Sequence, residues 1–198
     1  AGTLCKPNAT TDVFDWTGLR VATNHAMSYS PGTVSDTAWV LRLKIICSNL
    51  TAGTYSSYFG FGMRSLSASS DSLTSSDSLM MSIHTRAAAP AGAKYYFEGN
   101  DGQPWANPQM NDNGFTNAPT VSTRHYEMIR LTATTATAKV FTDAYTTLLE
   151  QKAGVTIAST TIGLNNIILQ NDNNGDIGGT FNGTGDDIQF ANGVTVAP

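Results

Sequence analysis

The chain has 198 residues, a formal net charge of −4 and only 13% charged residues, with Ser, Thr, Asn and Gly taking their place. That length makes one domain with a sizeable core. The charge excludes binding driven by nucleic-acid phosphates, which needs clustered Lys and Arg, and no apolar run approaches the roughly 20 residues of a membrane-spanning helix.

Residues 1–18 carry Pro7 and then the apolar group Val13, Phe14 and Trp16, which predicts an extended arm ending in a short strand. We set residues 1–12 apart as this arm and 13–198 as the domain. A second short strand is expected over 18–24, and Ser30-Pro31-Gly32 is a turn. The strongest signal is 36–51, where Trp39, Leu41, Leu43, Ile45 and Cys47 share one parity and Arg42, Lys44 and Ser48 the other. Period-two alternation of this kind is a strand with one buried and one polar face. Val40 and Ile46 interrupt the polar parity, so part of the second face is expected to be covered as well.

Further strands are predicted at 55–63, which is aromatic and glycine-bearing as strands with a close neighbour or a bulge are, at 78–86 and at 93–98. The Ser/Asp-rich stretch 65–78 is an exposed loop, and 99–121 is a long loop carrying Trp105 and Phe115. Strands follow at 124–133 and 135–144 around a Thr-rich turn, then a loop and short strand over 145–153, and strands at 165–170 and 186–196. Ten to twelve short strands at roughly ten-residue spacing, without a convincing helix, predict an all-β, two-sheet antiparallel jelly-roll sandwich.

Three N-x-S/T sequons, at Asn8, Asn49 and Asn182, and a first residue that is Ala1 rather than Met suit a secreted, glycosylated product whose leader has been removed. Cys5 and Cys47 are expected to close one disulfide, tying the N-terminal segment to the central strand of its own or another copy. Two buried thiols are the plainer alternative.

Three segments resemble the concanavalin A-like lectin/glucanase superfamily, in particular laminin-G-like jelly-roll modules of secreted prokaryotic surface proteins: TVSDTAWVLRLKI at 33–45, HYEMIRLTATTATAKVFTD at 125–143 and GTGDDIQFANGV at 183–194. The resemblance implies two antiparallel sheets, one concave, with ligands in related proteins held on the concave face or by loops at its edge.

Glycosidases need two carboxylates flanking the scissile bond. Glu98, Glu127 and Glu150 stand alone in sequence, and Asp186 and Asp187, as neighbours in a strand, are expected to face opposite ways. The histidines His25, His84 and His125 lie in separate segments; His125 has Tyr126, Arg124 and Arg130 nearby, but alternation separates adjacent residues. No enzyme is therefore expected. Asp172, Asn174 and Asp176 have the alternate oxygen spacing of calcium loops, with Asp187 as a further ligand implied by the resemblance; a plain Asn/Asp/Gly turn competes with this reading. Trp105 and Phe115 are candidate glycan contacts or interface residues, since aromatics in a polar loop suit either role.

An extended arm adds a strand to an exposed sheet edge, and head-to-tail addition to a neighbour produces a filament. The function expected from the sequence is a non-catalytic, secreted, glycosylated structural subunit that polymerises with copies of itself through its N-terminal arm. A lectin-like carbohydrate-binding module is the alternative.

Overall fold

The computed structural model describes residues 6–8, 13–15, 25–51, 57–65, 77–86, 92–101, 115–173 and 180–197. Among them are twelve strands: β1 (Lys6–Asn8), β2 (Val13–Asp15), β3 (His25–Tyr29), β4 (Trp39–Thr51), β5 (Ser57–Arg64), β6 (Asp77–Arg86), β7 (Gly92–Asp101), β8 (Thr123–Thr132), β9 (Thr135–Phe141), β10 (Leu148–Thr156), β11 (Asn166–Asn173) and β12 (Thr180–Asn192). They form a seven-stranded sheet in the order β1-β2-β12-β4-β8-β9-β10 and a five-stranded sheet in the order β3-β11-β5-β6-β7, antiparallel throughout. The chain is an all-β sandwich of the jelly-roll type. No helix among the described residues is long and apolar enough to cross a membrane.

β4 lies at the middle of the seven-stranded sheet, and its alternation sets the core. Trp39, Leu41, Leu43, Ile45 and Cys47 are buried on the inner face beside Tyr126 and Met128 of β8 and Ala136, Ala138 and Val140 of β9. The facing sheet supplies Phe61 and Met63 from β5, Leu79, Met81 and Ile83 from β6, and Tyr95 and Phe97 from β7. Burying each of these large side chains contributes about 1.5–3 kcal/mol. Tyr126 joins the sheets, meeting Phe61 and Tyr95 edge-on at centroid distances of 5.3 and 5.9 Å.

Several boundaries differ from the sequence expectation. The early strand is His25–Tyr29, while 18–24 lies outside the described residues. β10 is a full strand of nine residues, and β12 starts at Thr180, well before 186. Glycine in β5 does mark a close neighbour: a Cβ on Gly62 would lie 2.2 Å from the carbonyl oxygen of Leu79 and 2.8 Å from Cα of Met80. Of the two apolar residues on the outer parity of β4, Val40 is buried and Ile46 is 40% exposed.

Candidate functional site

The outer face of the seven-stranded sheet follows from the same alternation. Register places Gln189, Arg42, Glu127, Lys139 and Gln151 in one row across β12, β4, β8, β9 and β10. The adjacent row runs Asp186, Lys44, His125, Phe141 and Leu148. Cross-strand neighbours on one face interact directly, and opposite charges there attract. Glu127, 4% exposed, accepts from Arg42 Nε at 2.8 Å through Oε2 and from Lys139 Nζ at 2.7 Å through Oε1. Lys44 Nζ donates to Asp186 Oδ2 at 2.5 Å.

Two backbone irregularities bring further groups onto this face. Between Asp186 and Gln189 the register of β12 slips against β4, and Asp187 adopts a positive φ of 55°. A bulge of this kind inserts one residue and re-aims the next side chain. It corrects the expectation that Asp186 and Asp187 face opposite ways, since Asp187 Oδ1 accepts from Gln189 Nε2 at 2.8 Å, and Gln189 lies in the row beside that of Asp186. The second irregularity is Tyr145, at φ 67° in the turn after β9. Asp143 holds that turn: its Oδ1 accepts from the amides of Thr146 and Thr147 and its Oδ2 from Thr147 Oγ1. Short polar side chains fold turns this way.

Tyr145 then lies against three groups. The Arg42 guanidinium stands 4.3 Å from its ring centroid, His125 meets it edge-on at 5.0 Å and Phe141 at 5.7 Å. Burial, with the charge of Asp187 second, raises the Tyr145 pKa, so the phenol keeps its proton. Burial, with Lys44 second, lowers that of His125, so the imidazole is held neutral. The Tyr145 hydroxyl and His125 Nδ1 are both buried without a hydrogen-bond partner. The only two non-glycine residues of positive φ among the described residues thus converge on one polar cluster with two unpaired polar atoms. Strain and unsatisfied polar groups concentrate at functional sites. Chemically the arrangement sets a protonated phenol and a neutral imidazole, both closed to solvent, beside a charged outer row. Tyr145 escaped the sequence reading because it sits in a turn, where no periodicity pairs it with His125. Tyr126, next to His125, is core instead.

The other expected site residues fall as follows. Phe115 is buried, meets Tyr95 edge-on at 6.0 Å and donates its amide to the Tyr95 carbonyl; this corrects its reading as a glycan contact, because it closes the core beside β7. Trp105 lies outside the described residues. Cys47 is a buried thiol that donates to the carbonyl of Asn49 at 3.6 Å, and its expected partner Cys5 lies outside the described residues. Asp172 is in β11 of the five-stranded sheet and Asp187 in β12 of the other; Asn174 and Asp176 lie outside the described residues. No group of three or more His, Cys, Asp or Glu side chains suited to a metal occurs among the described residues. Asn49 and Asn182 are register partners in β4 and β12, and Asn8 ends β1.

No family model matches the chain, and no curated protein matches it in sequence. Among solved structures it is similar in fold to scytalido-glutamic peptidase with a transition state analog inhibitor, at 11% identity and a TM-score of 0.49, over 89% of this chain and 84% of that one. It is similar also to alginate lyase Aly36B, at 11% identity and a TM-score of 0.46, over 100% of this chain and 95% of that one. Both are enzymes. The expectation that this chain is not an enzyme is corrected accordingly: the architecture is shared with enzymes, and isolated glutamates in the sequence do not exclude catalysis.

Proposed function

We propose that the protein is a secreted, glycosylated structural subunit, a concanavalin A-like module that assembles with copies of itself into an extracellular or surface filament by strand addition of its N-terminal arm. The observation that carries this reading is the imbalance along β12. Among the described residues, β12 pairs with β4 on one side through eleven residue pairs and meets β2 on the other through two, Thr184 with Asp15 and Gly185 with Phe14. A long strand paired over so little of one edge is a template for another chain's strand. Among the described residues the β1–β2 pairing is three pairs long, so exchanging these for a neighbour's segment sacrifices few hydrogen bonds. The finer family assignment rests on the three sequence segments that resemble the superfamily. Sedimentation of the chain lacking residues 1–12 tests the reading. The truncated domain is expected to stay monomeric where the full chain polymerises, and unchanged polymerisation after truncation contradicts arm exchange.

A second reading, a carbohydrate-binding module, is favoured by the strained cluster around Tyr145. Its polar rows suit a hydroxyl-rich ligand. Saturable binding on a glycan array, lost with Tyr145→Phe, is the outcome that supports it; an array without hits counts against it.

A further inference from the structure

β10 ends the seven-stranded sheet and β7 ends the five-stranded sheet, and the two edges are built differently. β10 slips twice against β9, and its longest unbroken run of pairs is the three residues 150–152. Two of those three, Glu150 and Lys152, stand opposite Val140 and Ala138, whose side chains line the core. Register slips and inward-pointing charges blunt an edge against strand addition, so β10 protects itself. β7 has no slip. It pairs with β6 through ten consecutive residues, the length and regularity that make an edge a template for another strand.

What guards β7 is the segment 115–117. The Phe115 amide donates to the Tyr95 carbonyl at 2.9 Å, occupying an acceptor on the edge of β7 that faces away from β6. Backbone groups alternate in direction along an antiparallel strand, so Ala93 and Phe97 present theirs on that same edge. Glu150 holds the other end of the segment. Its Oε1 accepts from the Thr116 amide at 2.7 Å, and its Oε2 from the Asn117 amide at 2.7 Å and from Asn117 Nδ2 at 2.8 Å. Between the two attachments Phe115 is buried, with Lys152 Nζ 5.7 Å from its ring centroid. Thr116 and Asn117 are themselves exposed, so one carboxylate with three charge-assisted hydrogen bonds ties them down.

We infer that residues 115–117 are a strap that keeps β7 from pairing with β7 of a second copy, and that Glu150 is its latch. Two β7 edges related by a two-fold axis run antiparallel and match in length, and strand addition needs only their outward backbone groups. Closing this side confines self-association to the β12 side, which gives a filament one sandwich wide.

The inference rests on the reading that copies assemble by strand addition, and the experiment separates the two. Full-length wild type, Glu150→Ala and Glu150→Ala with Ala93→Pro are compared by sedimentation and negative-stain microscopy. Glu150→Ala is expected to gain side-by-side joining that the wild type lacks. Adding Ala93→Pro is expected to abolish it, because proline removes an outward N–H of β7 and spares the pairing with β6. Glu150→Ala that behaves as the wild type overturns the inference. So does a double variant that joins as strongly as Glu150→Ala, the result if the single change merely unfolded the domain. Wild-type filaments with no joining in Glu150→Ala would leave arm exchange standing alone. Joining in Glu150→Ala without wild-type filaments would leave the strap standing alone.

Discussion

The Cys47 thiol donates to the main-chain carbonyl of Asn49 across the Ser48 bulge, at 3.6 Å. A thiol donates only while protonated, and burial pushes the Cys47 pKa up to about 11. The folded state therefore holds this proton more tightly than the unfolded chain. Its contribution is complete below the ordinary thiol range and is lost as pH rises toward about 11. Two results are expected: iodoacetamide labels Cys47 slowly in the native protein at pH 7 and readily in urea, and Cys47→Val removes part of the stability loss between pH 9 and 11. Rapid native labelling contradicts the buried, protonated thiol.

Gly62 and Gly60 make a matched pair on β5. A methyl group at Gly62 meets the backbone of β6 at 2.2 Å, where neither strand can yield without breaking pairing, whereas at Gly60 the nearest atom is the flexible end of Met80 at 3.4 Å. Gly62→Ala is expected to destabilise by about 3 kcal/mol and Gly60→Ala by less than about 1 kcal/mol. Urea unfolding of both variants checks the difference; equal midpoints would mean that β6 does not approach Gly62 this closely.

Glu127 joins three strands by accepting from Arg42 and Lys139. The two cations are partly exposed and stay hydrated when the carboxylate is removed, so the loss is smaller than for a fully buried pair. Glu127→Gln is expected to cost about 2 kcal/mol by urea unfolding. Arg42→Ala costs a similar amount and also frees Tyr145, read as increased tyrosine fluorescence quenching by iodide. Unchanged quenching would show that the Arg42 stack does not hold the ring.

Asp143 fixes the turn that presents Tyr145. Hydrogen bonds from Thr147 and then Thr146 hold its carboxyl well below the ordinary carboxylate range. A depressed pKa adds stability that is present above the unfolded value, near 4, and lost as pH falls below it. The wild-type turn is thus expected to loosen only in strong acid. Asp143→Ala removes that acid dependence and lets the Tyr145 φ of 67° relax, which should abolish any glycan binding at this face while leaving the core intact. Retained binding in Asp143→Ala would separate Tyr145 from recognition.

Much of the sandwich was legible because apolar residues recur at every second position over Trp39–Cys47, Leu79–Ile83 and Tyr126–Met128, although Val40, Ile46, Met80 and Ile129 interrupt the pattern. β12 was read six residues short, since Thr, Asn and Gly over 180–185 look like a loop and become a strand only by pairing with β4. The polar rows were present in the sequence as Arg42, Lys44, Glu127 and Lys139, but register alone shows that they are neighbours. Both bulges were invisible. Each places one extra residue in a strand, and a strict period of two then misassigns everything beyond it, as happened with Asp187 and would have happened with Asn49. Tyr145 and Phe115 both lie in irregular segments, where no period places a side chain: the first packs on a polar cluster and the second fills the core.

Assembly through the β12 edge is the central claim, and negative-stain electron microscopy of the full chain tests it most directly. The prediction is filaments of uniform width for residues 1–198 and discrete single-domain particles once residues 1–12 are removed. A full chain that remains as separate single-domain particles at every protein concentration would contradict it.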